Sequence, residues 1–487
     1  MLPVDGKTKI QREREKIPMQ LWIHWWTLIW KLRPACSRLQ TFLWFATAVC
    51  GLSIRSDQLG VTSIIRALGL NERYYDNLLD AFHSSAVSLE RMTVLWVQTV
   101  LSAFKDPVLV NGRLVLLGDG IKIPKRGRKM PGVKLLHQQS DSNTKPDYIM
   151  GHSFQAVTLL VNAVQGALAV HLASRIHEGV VFSNRDKRTL LDKMIILLNS
   201  LGIRRQFYFV ADAYYASRKI ILPLLQQSNH LISRVKSNAV AYQHLQNQNE
   251  NEKRTRGRPR KYGKQVKLRS LLENQETMET ALSPVYGENN VHILFRSEDL
   301  LWKPVGLMVR FVAVIHPNRG RFILMTTDLS LTPIDVIRLY GLRFKIEFSF
   351  KQAVHVIGTY AYHFWMRSMT PLKHKNGNQH YHRKSPEYRA AVRRKLHAYH
   401  LYVHAGIVAQ GLMQYLAATF PNLVWNSFGS WMRTIRPGVP PSELVVADAL
   451  RNTLHQFLTV PAKVSILPKF LAQKIQIRRS NVSRLAG

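Results

Sequence analysis

The chain has 487 residues and is 46% hydrophobic, enough for about three domains with real cores, which excludes low-complexity disorder and fibrous classes. Its 68 Lys and Arg stand against 30 Asp and Glu, a net charge of +38. A field of that sign favours a polyanionic partner, nucleic acid ahead of an anionic membrane. Only Cys36 and Cys50 are present, so a disulfide framework and a thiolate zinc site are excluded and a reducing cytoplasm fits.

The first segment, MLPVDGKTKIQREREK, is too charged for a signal peptide. Residues 1–105 read as helical. Within them Leu39–Ile54 is the most apolar run, and at 16 residues it falls short of the ~20 needed to span a bilayer, so it reads as a buried helix. Residues 57–71 carry two short helical patterns meeting near Gly69, consistent with a helix-turn-helix or an ordinary helical hairpin. From about 110 the period changes. Arg113–Asp119 reads as a short apolar strand ending in an acid; strands follow over 153–164 and 167–173, then an amphipathic helix over 186–201. Phe207–Asp212 is a second apolar strand ending in an acid, followed by a helix over 217–227 and a strand over 231–235. This order predicts a mixed sheet with helices on its faces. Residues 236–280 are polar and basic. Strands return over 291–296, 305–315 and 322–327, and a helix begins at Thr332-Pro333, with Thr as N-cap and Pro at the first helical position. The remainder reads as helical and basic.

Acids are scarce, so their placement is informative. Asp119 and Asp212, 93 residues apart, are both expected at the carboxyl ends of strands, where chemistry gathers in α/β sheets. A third acid, Glu347, falls on the helix that begins at Pro333. At about 100° per residue, Tyr340, Arg343, Glu347 and Lys351 share one stripe about 80° wide on a continuous helix. Three carboxylates without Cys or His ligands suit hard cations such as Mg²⁺ or Mn²⁺. Two such ions support in-line phosphodiester displacement, with neighbouring Arg and Tyr on phosphate oxygens.

Tyr340-x2-Arg343-x3-Glu347 resembles the signature around the catalytic glutamate of the DDE transposases of bacterial insertion sequences, in the group with a Tyr-x2-Arg-x3-Glu-x6-Lys motif. The motif's lysine position is Val354 here, and Lys351 lies one turn earlier. The resemblance implies an α/β ribonuclease-H-like core, a mixed sheet flanked by helices, with a β-rich insertion and all-α N-terminal and C-terminal regions. It implies Asp119, Asp212 and Glu347 as catalytic residues holding two Mg²⁺ or Mn²⁺ ions, and Tyr340, Arg343 and Lys351 on DNA phosphates. The partner would be double-stranded DNA, transposon ends and target, engaged by a dimer or higher synaptic complex. The expected division is a helical DNA-binding region (1–105), the first part of the core (106–235), a basic loop and β-rich insertion (236–330), the catalytic glutamate helix (331–370) and a basic helical C-terminal region (371–487). The rival readings are a ribonuclease-H-like nuclease without strand transfer and a catalytically silent, transposase-derived DNA-binding protein.

Two further features belong to DNA binding. Arg256-Gly257-Arg258-Pro259 resembles the core of an AT-hook; with Arg260 and Lys261 it reads as a phosphate-binding loop ahead of a minor-groove reader or a merely solvated loop. The six Lys and Arg of 122–134 are placed to grip the strand being cut. The histidines between 363 and 404 lack metalloprotease spacing and read as part of a basic, DNA-facing surface. His152 reads either as a neighbour of the site or as a structural hydrogen-bonding residue. Asp141, Asp147, Glu178 and Asp328 rank below the three acids as metal ligands.

Overall fold

The structure is a computed structural model that describes residues 9–138, 146–164, 166–245, 261–285, 287–431, 434–436 and 439–476, with side chains from residue 19 onward. Arg256, Arg258 and Arg260 lie outside the described residues; Lys261 is described and exposed. No described helix is long and apolar enough to cross a membrane.

In chain order the helices α1 (Lys9–Trp30), α2 (Leu39–Ile54), α3 (Val61–Ala67), α4 (Tyr75–His83) and α5 (Leu89–Ala103) precede β1 (Leu109–Val110), β2 (Arg113–Pro124), β3 (Lys134–His137), β4 (Tyr148–Ala163), β5 (Gly166–Ile176) and β6 (Val180–Val181). Next come α6 (Leu190–Ser200), β7 (Phe207–Ala211), α7 (Arg218–Gln226), β8 (His230–Val235), β9 (Val240–Tyr242), β10 (Gln265–Lys267), β11 (Glu279–Leu282), β12 (His292–Trp302), β13 (Leu307–His316) and β14 (Gly320–Thr326). The chain closes with α8 (Pro333–Gly341), α9 (Phe344–Gln352), β15 (Gln379–His380), α10 (Pro386–Thr419), α11 (Pro421–Phe428), α12 (Glu443–Phe457) and α13 (Ile466–Ala472).

The centre of the sheet has the spatial order β5-β4-β2-β7-β8. β2, β7 and β8 run parallel, while β4 is antiparallel to β2 and to β5. This mixed sheet with flanking helices fits a ribonuclease-H-like nuclease fold. β2 is apolar at successive positions because both of its faces are covered. Leu114 and Leu116 join Phe209 under α6 and α7, while Val115 and Leu117 join Val210 under Val336, Leu339 and Ile346 of α8 and α9. The strands after 236 do not stand apart: β14 pairs antiparallel with β8, and β13 and β12 extend the same sheet.

Sequence periodicity misplaces several strand ends, including the start of β4 at 148 rather than 153 and the end of β12 at 302 rather than 296. It merges two helices, and it reads as helical residues 358–385, which hold loops and β15. β2 runs five residues beyond Asp119, because β4 keeps pairing with it as far as Pro124. Parallel pairing with β7, however, ends at Gly118–Ala211. The helix from Pro333 is broken at Leu342–Arg343, where Arg343, Lys345 and Ile346 donate their backbone N–H three residues back rather than four. Glu347 is therefore on α9, not on one continuous helix with Tyr340, and the stripe drawn for an unbroken helix does not apply.

The terminal helices share one core. Trp22 of α1 stacks on Phe457 of α12 at 4.8 Å and donates its indole N–H to Thr453. Leu39–Ile54 is the expected buried helix, and its C-cap residue Arg55, 4% exposed, donates to the carbonyls of Ile357, Gly358 and Gly60. This guanidinium ties the helical region to the segment that leaves α9. Residues 57–71 include α3 alone; α3 is packed on α2, where Gly51 leaves room for Ile64. His404 is fully buried on α10, and His400 accepts the N–H of Ile176, so neither belongs to the surface predicted for them. His152 is also structural: it is fully buried and hydrogen-bonded to the Pro131 carbonyl at 2.9 Å.

Gly118 admits the Phe209 ring, and a Cβ added there would overlap Cζ and Cε2 of that ring. Phe209 is fully buried and has nowhere to move. Gly118→Ala is therefore expected to destabilise the fold by about 1–3 kcal/mol, visible as a lower melting temperature; wild-type melting would mean that the strands separate easily at this point.

Candidate active site

The parallel pairing of β2 and β7 sets the first two acids side by side. Asp119 and Asp212 are the residues immediately beyond the last parallel pair, Gly118–Ala211. Asp212 caps the short 3₁₀ turn Ala213–Tyr215, its Oδ1 accepting the Tyr214 N–H at 3.1 Å. Its own carbonyl accepts the Ser233 hydroxyl at 2.7 Å, which binds the end of β7 to β8. Asp119 Oδ1 accepts the Gly120 N–H at 2.7 Å.

Arg343 joins the acids. Its Nη1 donates to Asp119 Oδ2 and its Nη2 to Glu347 Oε1, each at 2.8 Å. The guanidinium lies 6.0 Å from the Tyr340 ring centre, so the break between α8 and α9 keeps Tyr340, Arg343 and Glu347 near one another by a different geometry. α9 is held from behind: Gln410 of α10 donates to the Ser349 carbonyl at 3.0 Å, and the Ser349 hydroxyl lies 3.1 Å from His171 Nδ1 on β5.

Burial pushes the Asp119 carboxyl up to about 6, against the opposing pull of Arg343 and the Gly120 N–H, with Asp212 and Glu347 adding to the rise. Burial also raises Asp212, opposed by the Tyr214 N–H and Arg343. Burial alone would lower Arg343, but Asp119, Tyr340 and Glu347 together raise it. These are the responses expected of carboxylates gathered in a desolvated place around one cation.

Asp119, Asp212 and Glu347 line one cleft of about 710 Å³ with Lys122, Glu178 and Tyr214. Lys122 belongs to the segment expected to grip the cut strand and Glu178 to the lower-ranked acids; Tyr214 alone has no place in the sequence reading. Glu178 follows β5 in a loop and gains its place only because Lys134 of β3 reaches it at 2.8 Å. Burial would raise Glu178; hydrogen bonds from Lys134 and Ser153 more than offset that and lower it. Tyr214 lies two residues after Asp212 and is 53% exposed. Lys351 is exposed and does not line the cleft. Asp328 is occupied far from the cleft by Tyr208 and Ser330, Asp147 is exposed, and Asp141 lies outside the described residues.

The donor set fits a hard divalent cation in kind: it is all oxygen, anionic and partly desolvated. As placed, no three His, Cys, Asp or Glu among the described residues are gathered closely enough to hold an ion, and the Arg343 guanidinium supplies the compensating charge between Asp119 and Glu347.

The family model described as DDE superfamily endonuclease matches residues 33–285, just over half of the chain; the match includes Asp119 and Asp212 and ends before Glu347. A cryo-EM structure of the piggyBac transposase synaptic complex with hairpin DNA is similar over 92% of this chain and 78% of that chain, at 10% identity and a TM-score of 0.38; a likeness that loose carries no argument about function. No curated protein matches the sequence.

Because the folded Asp119 carboxyl titrates above its unfolded value, its contribution to stability falls as pH rises through about 4 to 6. Carboxyl-carbon NMR of ¹³C-aspartate-labelled, metal-free protein is expected to show one midpoint near 6, moved upward in Arg343→Gln, which removes the cation favouring the charged form. A midpoint near 4 in both proteins would mean that Asp119 is solvated.

Proposed function

Because the chain belongs to the DDE superfamily endonucleases, we propose that it is a DNA transposase that cuts at transposon ends and joins the freed strand to target DNA. The observation that carries this reading is the single cleft shared by Asp119, Asp212 and Glu347 in a chain of net charge +38. The Tyr340, Arg343 and Glu347 spacing supports the insertion-sequence group with the Tyr-x2-Arg-x3-Glu motif, acting on double-stranded DNA in the cytoplasm or on the nucleoid.

Asp119, Asp212 and Glu347 would hold the divalent cations, Mg²⁺ or Mn²⁺ and two per site, which supply Lewis-acid polarisation for phosphodiester displacement. Arg343 has two roles in this reading. Without cations its guanidinium balances the acids; with the acids otherwise compensated, its planar fork is free for two phosphate oxygens. Lys122, whose Nζ donates to the His137 carbonyl at 2.6 Å, adds positive charge at the cleft, and Tyr340 restrains Arg343. Arg256, Arg258, Arg260 and Lys261 would add phosphate contacts from the basic loop, and Lys351 from the exposed side of α9. The helical N-terminal region (1–105) would bind transposon ends, and paired ends would be held by a dimer or larger assembly.

Asp119→Asn and Asp212→Asn are each expected to abolish divalent-cation-dependent cleavage while changing DNA affinity less than about threefold, since neither removes a basic contact. Cleavage gels beside gel-shift titrations check this. Full cleavage by either variant would remove that residue from the site; cleavage without joined product in the wild type would favour the nuclease reading.

Lys122→Ala is expected to slow cleavage by about tenfold or more, the worth of one charge-assisted hydrogen bond at ~1.5–3 kcal/mol. Lys351→Ala should have a smaller effect because Lys351 does not line the cleft, whereas Lys122 does. Single-turnover rates on one end substrate rank the two, and a larger loss in Lys351→Ala would give Lys351 the place of the motif's lysine.

A further inference from the structure

Two segments distant in sequence meet beyond Asp119. The loop that follows β2 is tied to the segment between α9 and α10: Leu372 N–H donates to the Arg128 carbonyl at 2.7 Å and Met366 N–H to the Lys129 carbonyl at 3.0 Å. The Gln379 side chain locks the same seam, donating to the Val133 carbonyl at 2.6 Å and accepting the Gly132 N–H at 3.1 Å. Residues 122–134 and 363–385 together hold eleven Lys and Arg and no acid. At the root of the seam Lys125 is 5% exposed. Its ammonium donates to the backbone carbonyls of Tyr360 and Tyr362 and lies 5.3 Å from the Tyr399 ring centre. Among the described residues no carboxylate forms an ion pair with it.

The seam encloses a groove of about 370 Å³. Val133, Ile149, Met150 and Leu372 make an apolar floor, and Arg126, Arg128 and Lys373 make a cationic rim with His374 beside them. A surface that meets only duplex phosphates needs cations and gains nothing from an apolar floor, because the bases of a duplex are already stacked against one another. An unpaired nucleotide presents both chemistries: a flat base to desolvate and a phosphate on each side. Trp365, 58% exposed on the same segment, adds an aromatic face of the kind on which unpaired bases stack. The position suits this occupant as well. Pro124, where the groove begins, is five residues along β2 from Asp119, about 17 Å at ~3.4 Å per residue, the span of about five nucleotide steps at 3.4 Å.

We infer that this groove is a binding site for an unpaired DNA nucleotide a few steps from the cleavage point, with the base against Met150 and Leu372 and the flanking phosphates on Arg126, Arg128 and Lys373. The site rests on the reading of the protein as a DNA-cutting enzyme and adds a preference for partly single-stranded DNA.

The test compares a blunt duplex with a duplex bearing a six-nucleotide single-stranded tail, matched in total phosphates, by fluorescence anisotropy with the full-length protein. The wild type is expected to bind the tailed DNA about tenfold more tightly. Met150→Ala with Leu372→Ser should remove most of that preference and leave blunt-duplex affinity within about threefold. Arg126→Ala with Lys373→Ala should weaken both DNAs and flatten their salt dependence. In case the floor variant folds poorly, 2-aminopurine is also placed at each tail position in turn with wild-type protein; one position should show an emission change on binding that its neighbours lack. Equal affinity for the two DNAs, or a uniform 2-aminopurine response, would overturn the groove while leaving the cleavage function standing. A tail preference in a protein that never cuts DNA would support the groove and sink the cleavage function.

Discussion

The cleft lined by the three acids depends on one arrangement, the parallel hydrogen-bonding of β2 with β7, which stops at Gly118 and Ala211. Beyond that pair the chain turns after β7 at Asp212, while β2 runs on paired with β4 alone, so each segment presents an aspartate at the level where their shared pairing ends. Burial strips hydration from both carboxyls and raises both, and the charges of Asp212 and Glu347 add to the rise of Asp119. Arg343 balances the arrangement by pairing with Asp119 and Glu347. The site therefore has an affinity for positive charge that the protein meets with its own guanidinium, and that same guanidinium suits a phosphate.

Placing Glu347 requires more of the fold. α9 cannot simply continue α8, because Leu342 and Arg343 tighten the backbone into three-residue hydrogen bonds and turn the following helix. The Gln410, Ser349 and His171 contacts then fix α9 from the side away from the cleft. Glu347 itself is the most exposed of the three acids; its side chain is 56% exposed against 19% for Asp119. The rigid part of the site is thus the pair of aspartates on the sheet, and the glutamate is delivered by a helix whose position depends on α10.

The basic residues divide into those that build and those that face outward. Arg55 and Lys125 are spent on backbone carbonyls deep in the structure. Arg126, Arg128, Lys373 and Lys375 remain exposed. Net charge alone does not distinguish these uses. Carbonyl oxygens replace part of the water these groups lose, yet burial still pulls the Lys125 ammonium down to about 7.

By itself the sequence determined the local elements and the scarce acids. The continuous apolar run of Leu114–Leu117 marked a strand covered on both faces, and the polar residue at its end marked Asp119. The strand before Asp212 and the Thr332-Pro333 start of α8 were legible for the same reason: periodicity and capping are set by residues within a few positions of each other. The tertiary structure alone decided the continuation of β2 past Asp119, the break before α9 and the entry of Glu178 into the cleft. It also decided the burial of His404 and the meeting of residues 122–134 with 363–385. Each of these depends on a partner far along the chain: β4 for the end of β2, Lys134 for Glu178, β5 for α10 and Gln379 for the basic seam. A local pattern records which face a residue prefers, whereas the free energy that settles these features comes from contacts formed only when distant segments close on one another.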